Sequence, residues 1–282
     1  MSEWSPQTLE ILGAARRGEF LTAFRRLEAV RPELPRWEAI QAQLVVSVLS
    51  GYFPGALVAI ENGCVELARQ PQRLVVHCLN SAWALLRYGD VCRAEDMVNA
   101  GLDLVAAHRK RPEIAHWEGR LLLNSAEVAY ALSQYELAYD RYLAGEVTIL
   151  ACTHPFEVST QSCTLPLARA GAGMCAYRLG REQQARELLQ NLDGFVPESA
   201  AVGLVARAAL ALLDGRAAEA FALMQQVKHM SMEDRIVRVE AQRLETEALQ
   251  RLGRPMERDA VLAEAVRLGT AEGLDYAARL MR

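Results

Sequence analysis

The chain has 282 residues, and 51% of them are apolar, which is enough to bury a large core. Only 6% of the residues are aromatic, while Ala and Leu are abundant, as in closely packed helices. The formal net charge is −4 and the pI is about 5.8. A general nucleic-acid-binding surface would usually be basic, so we expect no direct nucleic-acid partner.

The N-terminal segment, MSEWSPQTLE, has no basic stretch followed by an apolar core, so it lacks the features of a signal peptide. No window approaches the ~18 uninterrupted apolar residues that a membrane span needs. We therefore expect a cytoplasmic location and no membrane insertion. The six cysteines are expected to be reduced and to fill mostly small core positions.

The prolines divide the chain into helical segments. A proline inside a helix costs about 3 kcal/mol, so each proline is expected where a helix starts or stops. Between the prolines the apolar spacing is mostly three and four residues, with no convincing alternating strand, which predicts an all-α fold. Residues 152–166 are predicted to form the longest non-helical loop, either as an insertion at an edge or as a flap over a groove.

A small residue followed five positions later by Ala recurs along the chain, and we call this small residue the pivot. The pivots, with their alanines, are Gly18 (Ala23), Gly51 (Ala56), Gly89 (Ala94), Ser133 (Ala138), Gly180 (Ala185) and Gly215 (Ala220). A looser seventh pivot is Gly253, with Ala260 seven residues on. Glycine at the end of a helix tolerates a left-handed cap, and the alanine lets the following helix approach closely.

This pattern resembles the tetratricopeptide repeat, a helix–turn–helix unit of about 34 residues. The match to its G-[DE]-[YF]-x-x-A turn is best at Gly18-Glu19-Phe20 with Ala23. The resemblance implies a right-handed α-solenoid of about seven helix pairs plus a C-terminal capping helix, in a single domain over residues 1–282. The pairs are expected near 6–30, 36–69, 72–108, 112–151, 166–192, 198–228 and 232–268, and the cap over 270–282. The uneven spacing is similar to the degenerate repeats of bacterial regulatory and adaptor proteins.

The sequence carries no motif that assembles a catalytic centre, so we expect a non-enzymatic protein without a cofactor or a metal. Cys152, His154 and Cys163 are the one group with metal-ligand residue types, and they lack a fourth ligand at a recognisable spacing. Carboxylates such as Glu245 and Glu247 are interpreted as parts of solvated helix faces.

The concave face of a tetratricopeptide-like superhelix comes mainly from the first helix of each pair. Counting back from the pivots selects these candidate ligand-binding residues: Asn80, Trp83, Arg87, Arg120, Asn124, Glu127, Tyr130, Met174, Tyr177 and Arg178. Asn80 and Asn124 both lie nine residues before a pivot, although asparagine is a poor mid-helix residue. The resemblance implies that these amides pair with the backbone of a bound peptide. The alternative is that the asparagines bond across repeats and that the aromatic residues are core.

These observations favour a scaffold or adaptor that binds a protein or peptide partner, in bacterial regulation or complex assembly. The candidate residues depart from the lysine-rich carboxylate clamp of chaperone adaptors, so a chaperone C-terminus is not the expected ligand. Two alternatives stay open at this point. One is a sensor for a small molecule or a signal peptide, and the other is an oligomeric assembly subunit that uses its convex or terminal surfaces.

Overall fold

The computed structural model describes residues 4–190, 192, 195, 199–230 and 235–271, and within them it contains α-helices and no β-strand, which confirms the all-α class. The helices are α1 (Pro6–Arg16), α2 (Phe20–Val30), α3 (Arg36–Leu49), α4 (Phe53–Glu66), α5 (Pro71–Tyr88), α6 (Val91–Ala107), α7 (Pro112–Ala115), α8 (Glu118–Ala131), α9 (Tyr135–Ala151), α10 (Pro155–Arg178), α11 (Glu182–Leu189), α12 (Ala200–Leu213), α13 (Ala217–His229), α14 (Arg235–Arg251) and α15 (Pro255–Ala271). None of these described helices is both long and apolar enough to cross a membrane. The predicted cap over 270–282 lies almost entirely outside the described residues.

The helices pack mainly against their near neighbours in the chain. Contacts divide the chain into two compact units, which are described separately. Unit 1 comprises the residues up to 124 together with 152–158, and unit 2 comprises 125–151 and the residues from 159 onward. In unit 1, α1 contacts α3 and α3 contacts α5, while α2 and α4 each contact the helix that follows. In unit 2, α12, α13, α14 and α15 contact one another in succession, and α12 also contacts α14.

Each pivot forms a left-handed turn that ends one helix and leads into the next. At Gly89 the backbone φ is 82°, the Gly89 N–H donates to the Leu86 carbonyl (3.0 Å), and the Asp90 N–H donates to the Leu85 carbonyl (2.9 Å). This bond pair defines a Schellman cap. The same two bonds and a positive φ occur at the other pivots, which are Gly18, Gly51, Ser133, Gly180, Gly215 and Gly253. The left-handed cap predicted for the pivots is therefore confirmed.

The alanine five positions after a pivot is inaccessible to solvent in all six regular units. These residues are Ala23, Ala56, Ala94, Ala138, Ala185 and Ala220. The apolar residue nine positions after each regular pivot is also buried, as at Ile60 and Val98. A methyl side chain at this place allows two helix backbones to approach without leaving a void. At the looser seventh pivot, Ala260 is exposed. The alanine after a pivot is therefore buried only where it follows the pivot by five residues.

The expectation of a non-helical loop over 152–166 is wrong. Residues 152–154 are non-helical, and α10 then begins at Pro155 and continues through Pro166. Pro155 occupies the first turn, where a missing N–H costs nothing. Glu157, Thr164 and Ala168 are buried along one face of the helix. Burial of this face offsets the cost of an internal proline, about 3 kcal/mol.

The cysteines are less uniformly buried than the sequence predicts. Cys78 and Cys175 are buried, Cys64, Cys152 and Cys163 are partly exposed, and Cys92 is exposed; all six are free thiols. Burial raises the pKa of the Cys78 thiol to about 12, so this side chain acts as a small apolar group. The expectation that the cysteines mostly fill the core is therefore wrong.

Ser133 and Gly89 provide a matched test of the left-handed turn. Among the described residues, Ser133 is the one non-glycine with a positive φ, 62°. A left-handed conformation costs a residue with a Cβ about 1–2 kcal/mol. Glycine avoids this cost, but it raises the entropy of the unfolded chain, which lowers the free energy of unfolding by about 0.4–1 kcal/mol. We therefore expect Ser133→Gly to raise the free energy of unfolding by about 0.5–1 kcal/mol. Gly89→Ala should lower it by about 0.5–1 kcal/mol in urea denaturation, and a change of the same sign in the two variants would contradict this account.

Candidate functional site

In unit 1, three of the candidate residues form a stripe along α5. Asn80, Trp83 and Arg87 are spaced by three and four positions, which places them on one side of the helix, and each is partly exposed. The Arg87 guanidinium carbon lies 5.1 Å from the centroid of the Trp83 ring, within cation–π range. The Arg87 Nε is buried and has no hydrogen-bond partner among the described residues. We call Asn80, Trp83 and Arg87 the α5 stripe.

A buried chain of hydrogen bonds connects the α5 stripe to the core. The Asn80 Nδ2 donates to the Gln41 Oε1 (2.8 Å), and the Gln41 Nε2 lies 2.7 Å from the His77 Nδ1. The His77 Nε2 lies 2.9 Å from the Ile60 carbonyl oxygen, which can only accept. His77 therefore carries its proton on Nε2 and accepts from Gln41 through Nδ1. Burial lowers the pKa of His77, so the neutral ring that this chain requires is also the favoured one.

The second asparagine makes a similar bond to a preceding helix. The Asn124 Nδ2, on α8, donates to the Leu79 carbonyl oxygen on α5 at 2.9 Å. Both amides thus bond to the first helix of the preceding pair, as the alternative interpretation expected. Because a glutamine side chain or a carbonyl takes one N–H of each amide, the remaining polar atoms are the ones a ligand would use. Recognition of a peptide by these asparagines stays a prediction.

Arg120 is held by a buried carboxylate. Its Nε donates to both oxygens of Glu157, at 3.0 and 3.1 Å, and Glu157 is completely buried. The guanidinium carbon also lies 5.1 Å from the centroid of the Phe156 ring. The Arg120 guanidinium therefore has its carboxylate partner within unit 1. Sequence reasoning missed Glu157 because it placed this residue in a loop, although a carboxylate in the first turn of a helix that begins with proline is a recognisable signal.

In unit 2, Arg178 belongs to a buried ionic cluster. Its Nη2 donates to the Glu240 Oε1 at 2.8 Å, and the two side chains are 7% and 5% exposed. The Nε of Arg243 lies 3.6 Å from the Glu240 Oε2, and the Arg178 guanidinium carbon lies 5.2 Å from the Tyr135 ring centroid. Burial raises the pKa of the Glu240 carboxyl, and the Arg178 charge opposes that rise. Sequence reasoning missed Glu240 and Arg243 because they lie far from Arg178 along the chain. Glu240 is 62 residues after Arg178.

The remaining candidates of unit 2 are mainly packing residues. Tyr130 and Met174 are buried, and Tyr130 lies edge-on to Tyr135 with ring centroids 5.2 Å apart. Tyr177 is partly exposed, and its hydroxyl donates to a carboxylate oxygen of Glu247 at 2.7 Å. Glu127 is partly exposed. For Tyr130, burial agrees with the alternative that the aromatic residues are core.

Of the two carboxylates interpreted as parts of solvated helix faces, Glu245 is buried, contrary to that expectation, and Glu247 is partly exposed. Glu245 is 2% exposed and accepts hydrogen bonds from the Lys228 Nζ (2.5 Å) and the Gln225 Nε2 (2.7 Å). A cavity of about 230 Å³ lies beside it, lined by residues of α13, α14 and α15. The Glu245 Oε2 is closed off from solvent, and the Oε1 is the oxygen that accepts from Lys228 and Gln225.

Cys152, His154 and Cys163 are the group with metal-ligand residue types that the sequence contains. In the described part of the chain, no group of three or more His, Cys, Asp or Glu side chains is arranged to hold a metal ion. The His154 ring instead stacks on His116, with ring centroids 3.8 Å apart.

A comparison with models of known protein families finds none that matches the chain. A comparison with curated proteins finds no significant match. The functional inference therefore depends on the geometry described above.

Proposed function

We propose that the chain is a non-enzymatic scaffold or adaptor that binds a protein or peptide partner through the α5 stripe. The observation that supports this is the Trp83–Arg87 stack. Trp83 and Arg87 are both partly exposed residues, and no carboxylate of the described residues forms an ion pair with Arg87. Tryptophan and arginine are the residue types most often found at the energetic centre of protein interfaces.

The same proposal includes a tetratricopeptide-like arrangement of about seven helix pairs in the cytoplasm. Seven left-handed caps, six of them followed by a fully buried alanine, support a repeated unit. The succession of contacts α1–α3–α5 supports stacking of neighbouring pairs within unit 1. A repeat array stabilised by neighbour contacts leaves helix faces available for partners, which suits a scaffold better than an enzyme.

The test is capture and identification of the partner, followed by calorimetric titration of the purified partner into defined variants. We expect Arg87→Gln to weaken binding by 10-fold or more, because a hydrogen bond to a charged group contributes about 1.5–3 kcal/mol. Trp83→Leu should have an effect of the same order. Arg69→Gln is the matched control, because Arg69 is an exposed arginine in the turn after α4 and its loss removes the same charge.

Wild-type affinity in both α5-stripe variants would exclude this surface as the binding site. A particle mass well above the 31.2 kDa of one chain, measured by light scattering without any partner, would instead favour the assembly subunit.

A further inference from the structure

Unit 1 contains a pair of stacked histidines that the proposed function does not use. His116 follows α7, and His154 immediately precedes α10. Their rings are nearly parallel, with an interplanar angle of 6° and centroids 3.8 Å apart. Trp117 and Phe156 extend the contact, with ring centroids 5.1 Å apart. This cluster holds residues 152–158 against α7 and the start of α8.

The hydrogen bonds around the two rings suit neutral imidazoles. The His116 Nδ1 lies 2.9 Å from the Pro112 carbonyl oxygen, so this nitrogen carries the proton of the neutral ring. The His154 Nδ1 is buried and has no hydrogen-bond partner among the described residues. An imidazolium has an N–H on both nitrogens. A protonated His154 would therefore bury an N–H without an acceptor, which disfavours the closed arrangement.

The carboxylates near the stack form ion pairs with arginines. Glu113 pairs with Arg111, Glu118 pairs with Arg109, and Glu157 pairs with Arg120. Arg120 also contributes a positive charge beside the Phe156 ring. Two imidazolium rings in van der Waals contact would repel each other and this guanidinium.

We propose that the His116–His154 stack is an acid-sensitive contact that holds residues 152–158 in place near neutral pH and releases them when the rings are protonated. In the released state each ring can turn toward water, where both N–H groups find acceptors. Residues 152–158 include the first turn of α10, which begins at Pro155. Release of this segment would separate that turn from α7 and α8. The stack converts acidification into a local structural change.

The direction of the pH dependence follows from the environment of His116. Burial lowers the pKa of His116, and the His154 and Arg120 charges lower it further, while the Pro112 carbonyl and Glu113 oppose the shift. The released ring regains an ordinary pKa of about 6.5. The closed state is therefore fully favoured above about pH 6.5 and loses stability as the pH falls below that value.

Amide hydrogen exchange at Val158 measures the release directly. In the closed state the Val158 N–H donates to the His154 carbonyl at 3.0 Å. We expect the Val158 exchange rate, corrected for the intrinsic effect of pH, to rise about tenfold between pH 7.5 and pH 5.5. Carbon-detected titration of the His116 ring signals should show protonation over the same pH interval.

His154→Phe is the matched variant, because it keeps an aromatic ring in the stack and removes the titrating nitrogens. We expect its Val158 exchange rate to change less than twofold over the same interval, and His116→Phe should reduce the effect in the same way. Circular dichroism at pH 7.5 establishes that each variant is folded. An unchanged acid response in both folded variants would overturn the proposal.

The Asp90 N–H, which donates to the Leu85 carbonyl at 2.9 Å, reports on the rest of unit 1. We expect its protection to change much less than that of Val158. An equal loss of protection at both amides would show that acid destabilises unit 1 as a whole, and it too would overturn the proposal.

Discussion

Replacement of Gly63 by alanine is expected to lower the free energy of unfolding by about 3 kcal/mol. A Cβ at this position would lie 2.1 Å from the His77 Cε1 and 2.2 Å from its Nε2. The His77 ring cannot move aside easily, because Gln41 and the Ile60 carbonyl bond its two nitrogens. Overpacking costs about 1–3 kcal/mol and a broken buried hydrogen bond a further 1–3 kcal/mol, while the better helix propensity of alanine returns about 1 kcal/mol.

Gly13→Ala is the control for this experiment. Gly13 also lies within a helix, but the nearest atom to its added Cβ is the end of the flexible Arg17 side chain, at 3.4 Å. Alanine at this position should leave the free energy of unfolding unchanged or raise it by up to about 1 kcal/mol. Urea denaturation followed by circular dichroism measures both variants, and equal stability of the two would show that His77 does not require the glycine.

Truncation of Glu240 to alanine is expected to have an effect of similar size, about 3–5 kcal/mol, in unit 2. The change leaves the buried Arg178 guanidinium without its carboxylate, and an uncompensated buried charge is strongly destabilising. Arg243 also loses the carboxylate that lies 3.6 Å from its Nε. The double replacement Arg178→Met with Glu240→Leu removes both charges of the pair and should recover much of the lost stability.

Glu257→Ala provides the comparison for an exposed ion pair. Glu257 accepts from Arg254 at 2.5 Å, but both side chains are largely exposed. Such a pair contributes about 0–1 kcal/mol, so we expect a change of less than 1 kcal/mol in the same denaturation experiment. A loss at Glu240 no larger than the loss at Glu257 would mean that the buried charges are compensated in another way.

The left-handed caps and the close helix crossings were predictable from the sequence because their determinants are local. A left-handed cap needs only glycine or a tolerated serine at one position, and the close helix crossing needs only alanine five residues later. The path of α10 was not predictable in this way. Pro166 carries a strong local stop signal, and the burial that overrides it arises from packing distant in sequence.

In the candidate site, the positions of the stripe residues on α5 were predictable, and their hydrogen-bond partners were not. The α5 stripe was selected by counting back from the Gly89 pivot under the tetratricopeptide resemblance, and its residues share one side of α5 because a helix places residues three and four apart on one side. The partners of its residues were not predictable. Gln41 lies 39 residues before Asn80, and neither side chain carries a signal that identifies the other. The burial of Glu157 and Glu240 likewise depends on which helices meet, which the sequence pattern leaves undetermined.

The hydrogen bonds that run from Asn80 through Gln41 and His77 to the Ile60 carbonyl all donate in the same direction. Neighbouring helices rich in Ala and Leu can slide by one turn, or pair with the wrong repeat, and still bury a similar apolar area. A displaced α3 or α5 would leave a glutamine amide and an imidazole buried without partners, at about 1–3 kcal/mol for each group. We therefore expect this polar chain to destabilise mismatched helix pairs during folding, including pairs that apolar packing alone would tolerate.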